Sequence, residues 1–186
     1  FIIDAAQGDV DSWVRSGEWR KDIPDTAKCY YRLYKFGDMH RLIAAYEEML
    51  REYGSMKEYV RSHASTGIEA VSAICRYFAE HDASTVVPRN TQSACKRVCM
   101  FLRWMVRSGS PVDLGLWADI IDRRTLIMPL DTHVVQEALR LRLLKSRTAS
   151  MATARRLTDA MLEVFPDDPL RGDFALFGLG VDEDSK

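Results

Sequence analysis

Residues 91–107, TQSACKRVCMFLRWMVR, decide the fold class. Val98, Phe101, Leu102, Met105 and Val106 recur at the three- and four-residue spacing of one helical face, and Ser108-Gly109-Ser110-Pro111 supplies a stop. The pattern predicts one long core helix from Thr91 to Arg107. The same period extends in both directions. Upstream, Met39, Leu42, Ile43, Tyr46, Met49, Leu50 and Tyr53 stripe a helix that ends at Gly54. Ser55 is placed to cap the next helix, and Thr66 or Gly67 opens another through Ile68, Val71, Ile74, Cys75 and Phe78. Ala83 to Asn90, with Pro88, reads as a loop. Downstream, Val134, Val135, Ala138, Leu141 and Leu144 predict a helix over Thr132 to Leu144 with Asp131 at its N-cap. Further helices are expected from Ala152 to Val164 and from Leu170 to Leu179, joined by Phe165-Pro166-Asp167-Asp168-Pro169. Strand patterns are nearly absent, so the expected class is all-α, an array of about eight or nine helices.

A chain of 186 residues fits one helical domain over 1–186, with room for two closely packed lobes and a loose tail at 181–186. No stretch approaches the roughly 20 apolar residues of a membrane span, so a soluble, cytoplasmic protein is expected. The chain starts at Phe1, and Phe1-Ile2-Ile3 is too short for a signal sequence, so an N-terminally incomplete fragment is expected. Cys29, Cys75, Cys95 and Cys99 form no CxxC pair. They lack the companions that zinc or an iron–sulfur cluster requires, so no metal is expected and reduced, mostly buried thiols are the simpler reading.

The net charge of −1 hides an uneven distribution. Residues 83–158 hold 13 Lys/Arg against 5 Asp/Glu, an excess of eight positive charges. Residues 1–82 hold 11 against 14, and residues 159–186 hold 2 against 8. A positive face for a polyanion and a set of ordinary solvated helix faces both fit this count.

Two polar helix entrances lie inside the positive block. Lys96 is an odd choice at a helix start, because a cation there opposes the macrodipole, and Arg97, Arg103 and Arg107 follow it. A nucleophilic lysine must be uncharged when it attacks, which burial and neighbouring cations favour. A surface lysine whose stem covers apolar neighbours is the plainer alternative. Asp131 between Pro129-Leu130 and a helical run is most simply an N-cap. A capped aspartate in a cleft is also a rigid carboxylate that can stabilise a cation or activate a neighbour. His133 would fall in the first turn, within reach of a phosphate oxygen, or serve as a surface or core residue.

The order of these features resembles a known superfamily. A lysine at a helix start, then Pro129-Leu130-Asp131-Thr132-His133, then Asp173-Phe174-Ala175-Leu176-Phe177-Gly178-Leu179-Gly180, is similar to the helix-hairpin-helix DNA glycosylases, particularly the lysine-bearing 8-oxoguanine glycosylase/lyases. Together with Cys95-Lys96-Arg97, Met100 to Arg107 and Asp113-Leu114-Gly115-Leu116-Trp117, these segments look like an uncharacterised bacterial family of hypothetical proteins over most of residues 26–181. That family is itself similar to archaeal 8-oxoguanine glycosylases, which share a long lysine-to-aspartate interval.

The resemblance implies a glycosylase-like helical array. It also implies a base-excision enzyme with N-glycosylase and abasic-site lyase activity on double-stranded DNA carrying a damaged base, an oxidised purine above all, with no cofactor. It places the Schiff-base lysine on Lys96, the assisting carboxylate on Asp131 and a backbone contact on His133. Arg97, Arg103, Arg89, Gln92 and Ser93 become candidate DNA contacts, and Trp104 either stacks on an extruded base or fills the core. The chain departs from the superfamily where Val87-Pro88-Arg89-Asn90-Thr91-Gln92-Ser93 replaces the glycine-rich hairpin. A non-catalytic DNA-binding module and a helical protein-interaction domain are the alternatives.

Overall fold

The computed structural model describes residues 1–176 and 178. The described chain is predominantly helical and divides into two compact units, residues 1–62 with 76–89 and residues 63–75 with 90–186. No helix among the described residues is long and apolar enough to cross a membrane.

The first unit starts with three short helices, α1 (Ile2–Ala5), α2 (Val10–Arg15) and α3 (Trp19–Asp22). A small antiparallel hairpin follows, β1 (Cys29–Tyr31) with β2 (Tyr34–Lys35), turned by Arg32 at φ 52°. Two and three residues of strand are too few to show an alternating pattern, so this hairpin is a departure from the helix-only expectation. The unit is organised by α4 (Phe36–Tyr53), which ends at Gly54 with φ 77°. Trp13, Val14, Trp19, Ile23, Ile43 and Leu50 form its buried cluster. The indole N–H groups of Trp13 and Trp19 donate to Asp22 and Glu47, so neither ring is buried at the cost of a lost hydrogen bond. The short α5 (Met56–His63) is capped by the Ser55 hydroxyl, which accepts from the Glu58 N–H. Tyr59 and Tyr77 stack edge-on beneath it.

The helix α6 (Gly67–Glu80) begins in the second unit and ends in the first. Its start is tied down twice. Glu69 accepts from the backbone N–H groups of Ser65 and Thr66, and the Gly67 N–H donates to the Thr125 hydroxyl at 2.8 Å. The rest of the second unit comprises α7 (Lys96–Val106), α8 (Thr132–Arg140) and α9 (Met151–Val164), with one-turn 3-10 helices at Arg123–Thr125 and Pro169–Gly172.

Three helix boundaries differ from the periodic reading. α7 starts at Lys96 rather than Thr91, because Cys95 takes the left-handed conformation, φ 47°, and residues 91–95 are extended or turned. α8 stops at Arg140 rather than Leu144. Arg142 is left-handed at φ 60°, and the N–H groups of Leu143 and Leu144 fold back onto the Ala138 carbonyl. Leu141, expected on the buried stripe, is therefore exposed, whereas Leu144 stays buried. Of the helix expected over 170–179, residues 170–172 belong to the 3-10 turn and residues 173–176 and 178 are α-helical; residues 177 and 179, like the tail, lie outside the described residues.

Candidate active site

Asp131 is positioned by what precedes it. Leu126, Ile127, Met128 and Leu130 are all buried, an extended run with no helical or strand pattern. The Met128 N–H is satisfied by the hydroxyl of Thr158 on α9, at 2.9 Å. The chain emerges from this run at Asp131, whose Oδ1 accepts from the Val134 N–H at 2.8 Å and caps α8. With one oxygen used by the cap, Oδ2 is left to face a partner.

That partner is Lys96, the first residue of α7, whose Nζ lies 3.0 Å from Asp131 Oδ2. Lys96 is placed from below by Val98, Cys99 and Leu102 on the buried face of α7. From the side it is placed by an isolated backbone bridge between Ser93 and Ser150. Cys95, immediately before it, is buried and sits 3.9 Å from the Cys75 sulfur on α6. Burial pushes the nearby Cys99 thiol up to about 12, so that group stays protonated. The pair therefore joins two helix entrances that are 35 residues apart in the chain.

The Lys96 side chain is 44% exposed and that of Asp131 15% exposed. The amine can thus meet a ligand from solvent while the carboxylate is held from behind. Burial raises the Asp131 pKa, but the Val134 N–H, the Lys96 ammonium and the charge of His133 outweigh it and hold the carboxyl below its ordinary value. Asp131 is a fixed anion at neutral pH, suited to stabilising positive charge rather than to taking up a proton.

Behind the pair lies a network that the helical period does not reveal. Arg103 is completely buried. Its Nη1 donates to Asp173 Oδ2 at 2.5 Å, and its Nε lies 3.6 Å from Asp113 Oδ1. Arg107 donates to Asp113 at 2.7 Å and to both oxygens of Asp168. Phe174 covers the Arg103 guanidinium at 4.0 Å while remaining 54% exposed. Burial pushes the Asp173 carboxyl up, Arg103 opposes that, and the negative charge of Asp131 adds to the rise. Asp173 is thus within electrostatic range of the Lys96–Asp131 pair.

Arg103 is accordingly not a phosphate contact: a guanidinium with no solvent exposure, used by two carboxylates and a ring, has no free face for DNA. Trp104 is not a core filler either. It is 40% exposed, with its backbone carbonyl accepting from the Leu114 N–H. Arg97 is exposed on the first turn of α7, and His133 is half-buried on the first turn of α8. Gln92 and Ser93 are exposed in the loop before α7, and the Gln92 N–H donates to the Asn90 side chain. Arg89 is exposed and is the last residue of the first unit. The network through Asp113, Asp168 and Asp173 is not legible from the periodic pattern. Its one sequence signal is the pair Arg103 and Arg107, a helical turn apart on a core helix.

These features define a helical protein whose second unit presents a lysine–aspartate ion pair at the junction of two helix starts, backed by a buried arginine–aspartate network. The chain belongs to a family described as a protein of unknown function, DUF2400, whose model matches residues 2–182. Comparisons with curated proteins and with solved structures found no match.

Proposed function

We propose that this protein is a DNA base-excision enzyme of the helix-hairpin-helix glycosylase type. It would act as an N-glycosylase with abasic-site lyase activity on duplex DNA carrying an oxidised purine. The observation that carries this reading is the 3.0 Å approach of a solvent-reachable Lys96 amine to a capped, ionised Asp131. Separated by 35 residues, the two groups meet at helix starts, where unpaired backbone N–H groups favour phosphate.

In this reading the damaged nucleotide is turned out of the stack, and its C1′ is brought to Lys96, whose ammonium gives up a proton to solvent before the free amine attacks. The amine forms the new C1′–N bond as the glycosidic bond breaks. The base leaves with the electron pair and takes up a proton. Asp131, fixed by the Val134 N–H, stabilises the positive charge that develops on the sugar. Opening of the sugar ring gives a protonated imine on Lys96; loss of a C2′ proton to solvent expels the 3′ phosphate, and water then hydrolyses the imine to free Lys96. The exposed Trp104 and Phe174 offer faces on which a base can stack.

Borohydride trapping tests this. Protein incubated with a duplex bearing an abasic site or an oxidised purine is expected to give a covalent band, which Lys96→Gln abolishes and Asp131→Asn reduces at least tenfold. A duplex that binds but gives no band from the unaltered protein overturns the chemistry. It would leave a non-catalytic DNA-binding module, for which the Lys96–Asp131 ion pair is structural.

A further inference from the structure

Several exposed arginines elsewhere in the molecule pair with carboxylates: Arg15 with Asp11, Arg20 with Glu47, Arg51 with Glu48 and Arg124 with Asp122. One segment instead gathers cations without acidic neighbours in sequence. From Ala138 to Thr158 the chain carries six Lys/Arg and no Asp or Glu. Arg140 is used by the buried Glu137. The other five, Arg142, Lys145, Arg147, Arg155 and Arg156, are exposed and make no ion pair among the described residues.

The backbone brings these charges back toward the candidate active site. α8 carries the chain away from Asp131 over nine residues, about 13 Å. The left-handed Arg142 turns it, and buried Leu144 pins the turn. The chain then returns through Lys145 and Arg147 to Ser150, which bridges to Ser93, three residues before Lys96. The cations therefore line a return path that begins at the far end of α8 and ends beside the reactive pair. A span of about 13 Å equals about four base-pair rises of a duplex, enough to meet several phosphates. Leu141 is the one large apolar side chain exposed in this loop, which is too little for insertion into a lipid surface.

We propose that residues 141–150 and the first turns of α9 form a second phosphate-contacting surface beside the Lys96–Asp131 pair, fitted to the backbone of duplex DNA. The choice of DNA as the polyanion rests on the function proposed above. The surface itself rests on unneutralised charge and its placement. None of its residues takes part in the chemistry, so it contributes affinity and register without sequence preference.

The test measures binding of an undamaged labelled duplex by the full chain over a range of salt concentrations, for the unaltered protein and for R142Q/K145Q/R147Q. The variant is expected to melt at the unaltered temperature. Its salt slope should fall by about three, with affinity near 0.1 M salt lower on the order of 100-fold. Removing the same charge from the other unit with K21Q/K28Q/R51Q is expected to change the slope by less than one. An unchanged slope in the first variant overturns the surface. So does an equal loss in the second, or binding of the unaltered protein to anionic vesicles but not to duplex. The two proposals fail separately. Loss of the borohydride band in every protein, with duplex binding still sensitive to the triple substitution, removes the chemistry and keeps the surface. A full band with an unchanged slope does the reverse.

Discussion

Asp131 performs two tasks with two oxygens, and its titration reports both. Its ordinary value is near 3.8, and the Val134 N–H and the Lys96 ammonium hold it lower in the folded protein despite burial. A carboxyl depressed by folding contributes stability that is present above the unfolded pKa and is lost as pH falls through the folded pKa. Asp131→Asn keeps the cap geometry but not the charge. It is expected to lose less stability than the unaltered protein as the pH is lowered from 5 toward about 2, measured by urea unfolding at each pH. Identical acid limbs would show that the pair adds nothing to folding. Asp173 has the opposite sign, because burial raises its carboxyl and its contribution declines as pH rises through its folded value. Arg103 shows where a single-residue reading stops. An arginine on a helix is by default a surface group, and nothing local says that Asp113 and Asp173, 10 and 70 positions away, will enclose it.

At the scale of elements, the N-terminal turn of α6 packs directly against the backbone of Thr125 and Leu126. A Cβ on Gly67 would lie 2.4 Å from the Thr125 carbonyl oxygen and 2.9 Å from the Leu126 Cα, both backbone atoms that cannot rotate away. Gly67→Ala gains helix propensity, about 1 kcal/mol, but displaces the turn that feeds the buried run 126–130. The net expectation is a loss of about 1–3 kcal/mol in urea unfolding together with weaker Lys96–Asp131 coupling. A stability equal to or above that of the unaltered protein would place the turn elsewhere. Local signals located this helix start, the Gly54 stop, the Ser55 cap and the Asp131 cap, since each is a contact within a few residues. They misplaced the start of α7 and the end of α8. Those boundaries are set by left-handed Cys95 and Arg142, residues that adopt such conformations only when the surrounding packing holds them there.

For the molecule as a whole, the two units are not consecutive pieces of chain. The second unit takes residues 63–75 from the middle of the sequence, including the half of α6 that carries Ala70, Val71, Ile74 and Cys75, all buried. A fragment of residues 90–186 lacks that wall and the Gly67–Thr125 and Cys75–Cys95 contacts. It is expected to show no cooperative thermal transition by circular dichroism, whereas residues 63–186 should regain one. A sharp transition in the shorter fragment would show that α7, α8 and α9 form a sufficient core by themselves. The central excess of positive charge was countable from composition. Its division into a buried network at Arg103 and Arg107 and an exposed surface at residues 142–156 was not, because a count carries no direction.

Periodicity and capping act over three or four residues, so the helical class, most helix positions and the residues at two polar helix starts are readable along the chain. That Lys96 and Asp131 touch, that Arg103 is enclosed and that Ser150 returns beside Ser93 emerges in the folded molecule alone. Those are pairings across tens of residues, set by how buried faces pack rather than by anything a neighbouring residue dictates.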